Sequence, residues 1–326
     1  LKRYWKLFVV VLLVGAATPF IWLSYFVVAN EAPILEGEVI YGEEYKPGLS
    51  LDLYTPTVRV HERFPVVMFI HGGAWIGGSK EGLNMNRYNE AVNELRDLGH
   101  AVVSIDYTLA RPDQSPFPEC IQDAADAVAW IVQHADTFNL DTLNIGLFGE
   151  SAGAHIAMMV AYAEPSVYGS RHRFPAFRYV VSVYGPNRLR GLFEMPTADS
   201  IYSFLEELPE PISSRLDLTQ YIFGFDPHAD SVRAYTLLDT YSPFNYVGRQ
   251  APPTLFVHGD EDFIVPVDQT HRLAQRLDSL SVDHAVHILE GMNHGFVDAT
   301  NEQKSDAQSW IVDFIKHHHE SADQAL

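Results

Sequence analysis

Apolar residues fall along this chain in two alternating kinds of run. The short ones are FPVVMFI (residues 64–70), HAVVSIDY (100–107), NIGLFGE (144–150), YVVSVYG (179–185), TLFVHGD (254–260) and HAVHILEG (284–291). Each is rich in β-branched or aromatic residues and is nearly uninterrupted, which predicts parallel strands buried on both faces. Between them lie longer segments: residues 87–99, 120–138, 152–163, 267–277 and 304–316. These are the predicted helices. Strands alternating with helices predict an α/β fold whose mostly parallel, twisted sheet carries helices on both faces. Ahead of them, GEVIYGEEYKPGLSLDLYTP (37–56) places two strand-like runs around Lys46, Pro47 and Gly48, the pattern of an antiparallel edge hairpin.

Two segments break this rhythm. Residues 7–29 contain no charge over 23 positions, about 34 Å as a helix and enough to cross a bilayer. Lys2, Arg3 and Lys6 precede the run and Glu31, Glu36 and Glu38 follow it. The positive-inside rule therefore places the N-terminus in the cytoplasm and all that follows on the other side; Pro19 kinks such a span without forbidding it. The alternative is a cleaved signal peptide with Val27 and Ala29 at the small-residue positions and a secreted product. The second break, residues 187–240, is rich in Phe, Tyr, Pro and acid, including Phe193, Tyr202, Phe204, Tyr221, Phe223, Phe225, Glu206, Glu207 and Glu210. An insertion that long predicts a cap or lid over the carboxyl ends of the strands. The expected organisation is a membrane anchor over 1–30 and one α/β domain over 31–326.

Composition narrows the function. With 326 residues, 47% of them hydrophobic, the chain can bury the core of one large domain. A net charge of -20 excludes nucleic acid as a partner. The single cysteine, Cys120, forbids an internal disulfide and reads as a small buried apolar residue. Phosphate-cradling and zinc-ligand spacings are missing, so no cofactor and no metal are expected. His317, His318 and His319 are consecutive and cannot share a helix face as metal ligands do; they read as a solvated tail.

The candidate chemistry lies at Gly149-Glu150-Ser151-Ala152-Gly153, where a predicted strand turns directly into a predicted helix. Glycines flanking a tight corner let Ser151 adopt a strained conformation that thrusts its hydroxyl outward. Unpaired N–H groups at the following helix start face any oxyanion formed beside it. A serine hydroxyl needs a base that works near neutral pH, and the base needs a carboxylate to fix its tautomer. His294, in GMNHGF after the last strand, occupies a loop at the same edge of the sheet. HGDEDFIVP after the preceding strand offers Asp260, Glu261 and Asp262. The Ala152 N–H needs a second oxyanion donor, and His71-Gly72-Gly73 lets unencumbered backbone approach the same point. His71 and His258 read as braces of their loops and His155 as a packed core residue, while Glu150 within the corner could tune the site.

These residues, with SIDYTLA, FPECIQDAADAVAWI and YSPFNYV, resemble the carboxylesterases and lipases related to hormone-sensitive lipase. The likeness is strongest to their HGGxW-bearing relatives, which include feruloyl and acetyl esterases and kynurenine formamidases. It runs from about residue 48 to 314 and implies the α/β-hydrolase fold, with Ser151 as nucleophile, His294 as base and Asp262 as acid. It further implies Gly72, Gly73 and Ala152 as oxyanion donors and a structural role for Glu150. HGGAW stands where typical members have HGGG, and DYTLAR where they have DYRLAP. The expected activity is hydrolysis of a small-molecule ester through an acyl-enzyme; an amidase or formamidase, or a catalytically silent binding protein, are the alternatives.

Overall fold

Alternation along a single strand sets the layers. Val66, Met68 and Ile70 join one hydrophobic cluster while Val67 and Phe69 join another, because successive side chains of a strand point to opposite faces. The strand is covered on both sides. The computed structural model describes residues 37–84, 88–193, 218–296 and 299–323. The expected anchor at 1–30 lies outside them, as do residues 194–217 of the expected cap. Among the described residues no helix is long and apolar enough to cross a membrane.

Among the described residues eight strands form the sheet: β1 (Val39–Lys46), β2 (Leu49–Tyr54), β3 (Phe64–Ile70), β4 (Ala101–Ile105), β5 (Leu140–Glu150), β6 (Val180–Val183), β7 (Thr254–Gly259) and β8 (His284–Leu289). Their spatial order is β1-β2-β4-β3-β5-β6-β7-β8. β1 and β2 form an antiparallel hairpin whose second strand pairs antiparallel with β4. All other neighbours are parallel. The expected edge hairpin and parallel sheet are both present, with Gly48 in the turn at φ 79°.

The longer helices are α1 (Asn89–Asp97), α2 (Glu119–Gln133), α3 (Ala152–Tyr162), α4 (Ser231–Thr240), α5 (Asp268–Leu280) and α6 (Asn301–Asp323). Residues of α2, α3 and α5 pack with one face of the sheet, and residues of α1 and α6 with the other. Cys120 is buried on α2, as expected. The predicted helix 120–138 is interrupted at His134, which separates α2 from a short turn, Ala135–Phe138.

Two of the three C-terminal histidines depart from the predicted solvated tail, while His317 stays exposed. The last helix runs to Asp323, well past residue 316, and carries His318 and His319 into buried positions. His318 packs its ring on Phe314 at 4.3 Å, whereas His319 meets His61 at 4.6 Å and His100 at 5.1 Å. Burial comes from contacts distant in sequence, which letter pattern at a chain end does not reveal.

Candidate active site

The corner between β5 and α3 is built by close approach of backbone. A Cβ on Gly149 would collide with the Gly153 carbonyl, and one on Gly153 with the carbonyl oxygen of Ile70 at the end of β3. Only glycine fits either position. Ser151 between them takes φ 49° and ψ -119°, a backbone state that costs a non-glycine residue about 1–3 kcal/mol. Its N–H donates to Val183 O at 2.9 Å, and its carbonyl accepts from His155 N at 3.1 Å. The corner is thereby pinned to β6 on one side and to its own helix on the other.

Three strand ends converge on the Ser151 hydroxyl. His294, in the loop after β8, sets Nε2 3.0 Å from Ser151 Oγ. Its Nδ1 lies 2.7 Å from Asp262 Oδ2, in the loop after β7. A carboxylate only accepts, so Nδ1 carries a proton and Nε2 is left to face the hydroxyl. The other oxygen, Asp262 Oδ1, accepts from the N–H groups of Ile264 at 2.9 Å and Val265 at 2.8 Å. Asp262 is 6% exposed. Burial pushes its carboxyl up, but hydrogen bonds from His258 and His294, the charge of His294 and the Val265 N–H outweigh that and hold it at about 2. It is ionised at any working pH.

Asp260, the alternative acid left open by residue pattern alone, has another task. Its Oδ1 accepts the Gly291 N–H at 2.7 Å, joining the loops after β7 and β8. Gly259 sits so close to Met292 that a Cβ would strike its carbonyl oxygen. The two loops that carry Asp262 and His294 are thus clamped together. The Tyr184 ring, 4.6 Å from the His294 ring, packs beside it.

The loop after β3 differs from expectation at Gly72. Its N–H donates to Glu150 Oε1 at 3.3 Å, while Glu150 Oε2 accepts from Tyr88 at 3.1 Å and Tyr184 at 2.8 Å. Glu150 was read as structural, and these bonds do tie the corner to α1 and β6, but they also occupy the Gly72 amide. Gly72 allows close approach, since a Cβ there would lie 3.3 Å from Ser151 Cβ; it is not a free oxyanion donor. Gly73, Ala74 and Trp75 instead form a left-handed turn, with φ of 115°, 52° and 61°. Gly73 O accepts from both Ile76 N and Gly77 N at 3.0 Å. As at any helical start, the first N–H groups are left over, and successive ones make an anion-binding concavity. Among the described residues, the N–H groups of Gly73, Ala74 and Ala152 meet no hydrogen-bond partner. Ala74 went unnoticed in the sequence, because nothing in the letters marks an alanine as left-handed.

The remaining histidines brace the site. His71 Nδ1 donates to Gly72 O at 2.7 Å, and its ring stacks on Tyr107 at 4.2 Å. His155, fully buried on α3, places Nε2 2.6 Å from the carbonyl of Tyr241, tying the end of α4 to the helix behind Ser151. Burial pushes its imidazole down to about 4, so it stays neutral. Its ring meets Trp75 at 5.2 Å and Phe117 at 5.4 Å. Of the expected cap, the described flanks include Ile222 and Phe223, which are buried in the core beside α2. Among the described residues no group of His, Cys, Asp or Glu is arranged to hold a metal ion.

A family model described as BD-FAE matches residues 51–277, about two thirds of the chain. Esterase LipC of Mycobacterium tuberculosis is 29% identical over 266 residues, covering 79% of this chain and 59% of the relative. The chain thus spans less than two thirds of that protein's length. Among solved structures, inhibited esterase B of Lactobacillus rhamnosis superposes with a TM-score of 0.71 at 22% identity, covering 97% of this chain and 98% of that one. An esterase of Pyrobaculum calidifontis gives 0.65 at 26% identity, covering 92% and 89%.

Proposed function

The chain belongs to the family described as BD-FAE, and from that membership and its likeness to esterases we propose that it is a serine carboxylic-ester hydrolase. The observation that carries the reading is the unbroken line from Ser151 Oγ through His294 to Asp262, with contacts of 3.0 Å and 2.7 Å. In the proposed reaction Ser151 Oγ attacks the ester carbonyl carbon while its proton passes to His294 Nε2. Asp262 steadies the imidazolium. The tetrahedral oxyanion is held by the N–H groups of Ala152 and Gly73, with Ala74 as a further donor. Collapse expels the alcohol, which takes the proton from His294, and leaves an acyl-Ser151. Water then attacks the acyl carbon, giving its proton to His294, and release of the acid returns that proton to Ser151.

The proposed substrates are short or medium acyl esters of small alcohols or sugars. A hydrolysis screen with p-nitrophenyl esters, acetylated and feruloylated sugars, and N-formylkynurenine tests this, with Ser151→Ala as blank. Ester turnover that vanishes in the blank is the expected result. Turnover of N-formylkynurenine alone would replace the esterase reading with a formamidase, and none at all with a silent binding protein. Membrane anchoring through residues 7–29 is a further part of the proposal, supported by their 23 uncharged positions and the basic residues before them. The full chain should then fractionate with membranes and be digested by protease added from outside. A mature N-terminus near Asn30 would instead mean a cleaved signal.

A further inference from the structure

We propose that His258 is a positioning residue for the Ser151 site: its Nε2–H donates to the same Asp262 oxygen that binds His294, fixing the carboxylate and dividing its charge between two imidazoles. The inference rests on the esterase reading and adds a member to it. His258 lies on β7 and is fully buried. Its Nε2 is 2.8 Å from Val265 O and 3.2 Å from Asp262 Oδ2. Both neighbours are acceptors, so Nε2 carries a proton. On the far side of the ring, Nδ1 lies 2.8 Å from Thr270 Oγ1 on α5. A loop brace would need only Val265 and Thr270; the approach to Oδ2 is additional. Asp262 then has two backbone N–H groups on Oδ1 and two imidazoles on Oδ2, which leaves the carboxylate no freedom to rotate away from His294.

Other charged groups nearby are turned elsewhere. Asp260 holds the Gly291 N–H, Asp268 pairs with Arg272 on α5, and Glu261 is exposed. Tyr184 faces the His294 ring and is bonded to Glu150. Removing the His258 N–H therefore concentrates the Asp262 charge on His294 and favours its imidazolium.

Two variants separate positioning from bracing. His258→Leu removes the donor; His258→Gln places an amide N–H where Nε2 stood. The leucine variant should lose about tenfold in kcat, and the acid limb of its kcat/KM profile should move about 0.5 to 1 unit to higher pH. The glutamine variant should recover both. Equal losses in the two variants with an unmoved acid limb would reduce His258 to a brace. Ring-nitrogen NMR of the unsubstituted protein supplies a readout independent of turnover and of the folding of either variant. It should show a proton on His258 Nε2 whose signal shifts in Asp262→Asn; an unprotonated Nε2 overturns the proposal. An inactive protein that still shows this coupled signal would defeat the esterase reading and leave the His258–Asp262 bond standing.

Discussion

Among the described residues, two groups of buried and half-buried histidines are held in opposite ways. Around Asp262, His258 and His294 each aim a ring nitrogen at a carboxylate oxygen and give the other nitrogen a hydroxyl partner. Around His100, the rings of His61 and His319 stand 6.1 Å and 5.1 Å away. Both ring nitrogens of His100 are buried with no hydrogen-bond partner among the described residues. Burial, followed by the charges His319 and His61 would carry, pushes the His100 imidazole down to about 3. A cluster of imidazoles is thus not a site by virtue of its residues. A carboxylate that sets tautomer and orientation fits one for the proposed proton transfer, while the other is held by packing alone.

The largest contrast should appear in activity. His294→Ala should lower ester kcat by at least about three orders of magnitude, since it removes the base, whereas His100→Phe should leave kcat within about twofold. Steady-state kinetics on the two variants check this, and comparable losses would erase the distinction. Within the site, Asp262→Asn should approach the loss in His294→Ala because the amide supports the wrong tautomer. Asp260→Asn should be mild, as it touches only a loop amide. The reverse ranking would mean that Asp260 serves the base.

A smaller contrast lies in the pH dependence of stability. His100 has its folded value depressed below the ordinary 6.5 to about 3, so the unfolded chain binds the proton first. Its contribution is complete above about 6.5 and is lost as pH falls, at about 1.4 kcal/mol per pH unit down to about 3. His155 adds a second slope of the same sign, ending near 4. Asp262 behaves as a depressed carboxylate: its stabilisation is present above the ordinary 3.8 and is lost as pH falls through about 2. Between pH 7 and 5 the packed histidines therefore weaken the fold while Asp262 does not. Denaturation at the two pH values should show His100→Phe losing about 2 kcal/mol less than the unsubstituted protein; parallel losses would place the acid sensitivity elsewhere. The smallest effect is expected at His319→Ala, about 1 kcal/mol of stability from a lost packed ring, with unchanged kcat.

The Asp262 cluster was legible because its determinants are local. Gly149, Ser151 and Gly153 lie within five consecutive residues of one corner, and Asp262 and His294 each follow a recognisable strand. Pattern alone left Asp260 and Asp262 open, since both lie on the right loop; only the family resemblance chose between them. Gly72 misled because a glycine that grants close approach looks the same as one that donates its N–H, and the bond to Glu150 spans 78 positions. The His100 cluster was invisible for a related reason. It joins the loop at His61, the turn before β4 and the far end of α6, and no local periodicity encodes that meeting. The outer strands and helices were found, but α6 was cut short for want of a stop signal, since histidine and glutamate continue a helix as readily as they end one.

Reaction with a fluorophosphonate, followed by peptide mass spectrometry and parallel p-nitrophenyl ester assays, tests the central claim most directly. The label should fall on Ser151, disappear in Ser151→Ala, be strongly reduced in His294→Ala, and track loss of ester turnover across these proteins. A label on another residue, or undiminished turnover in Ser151→Ala, would contradict the account.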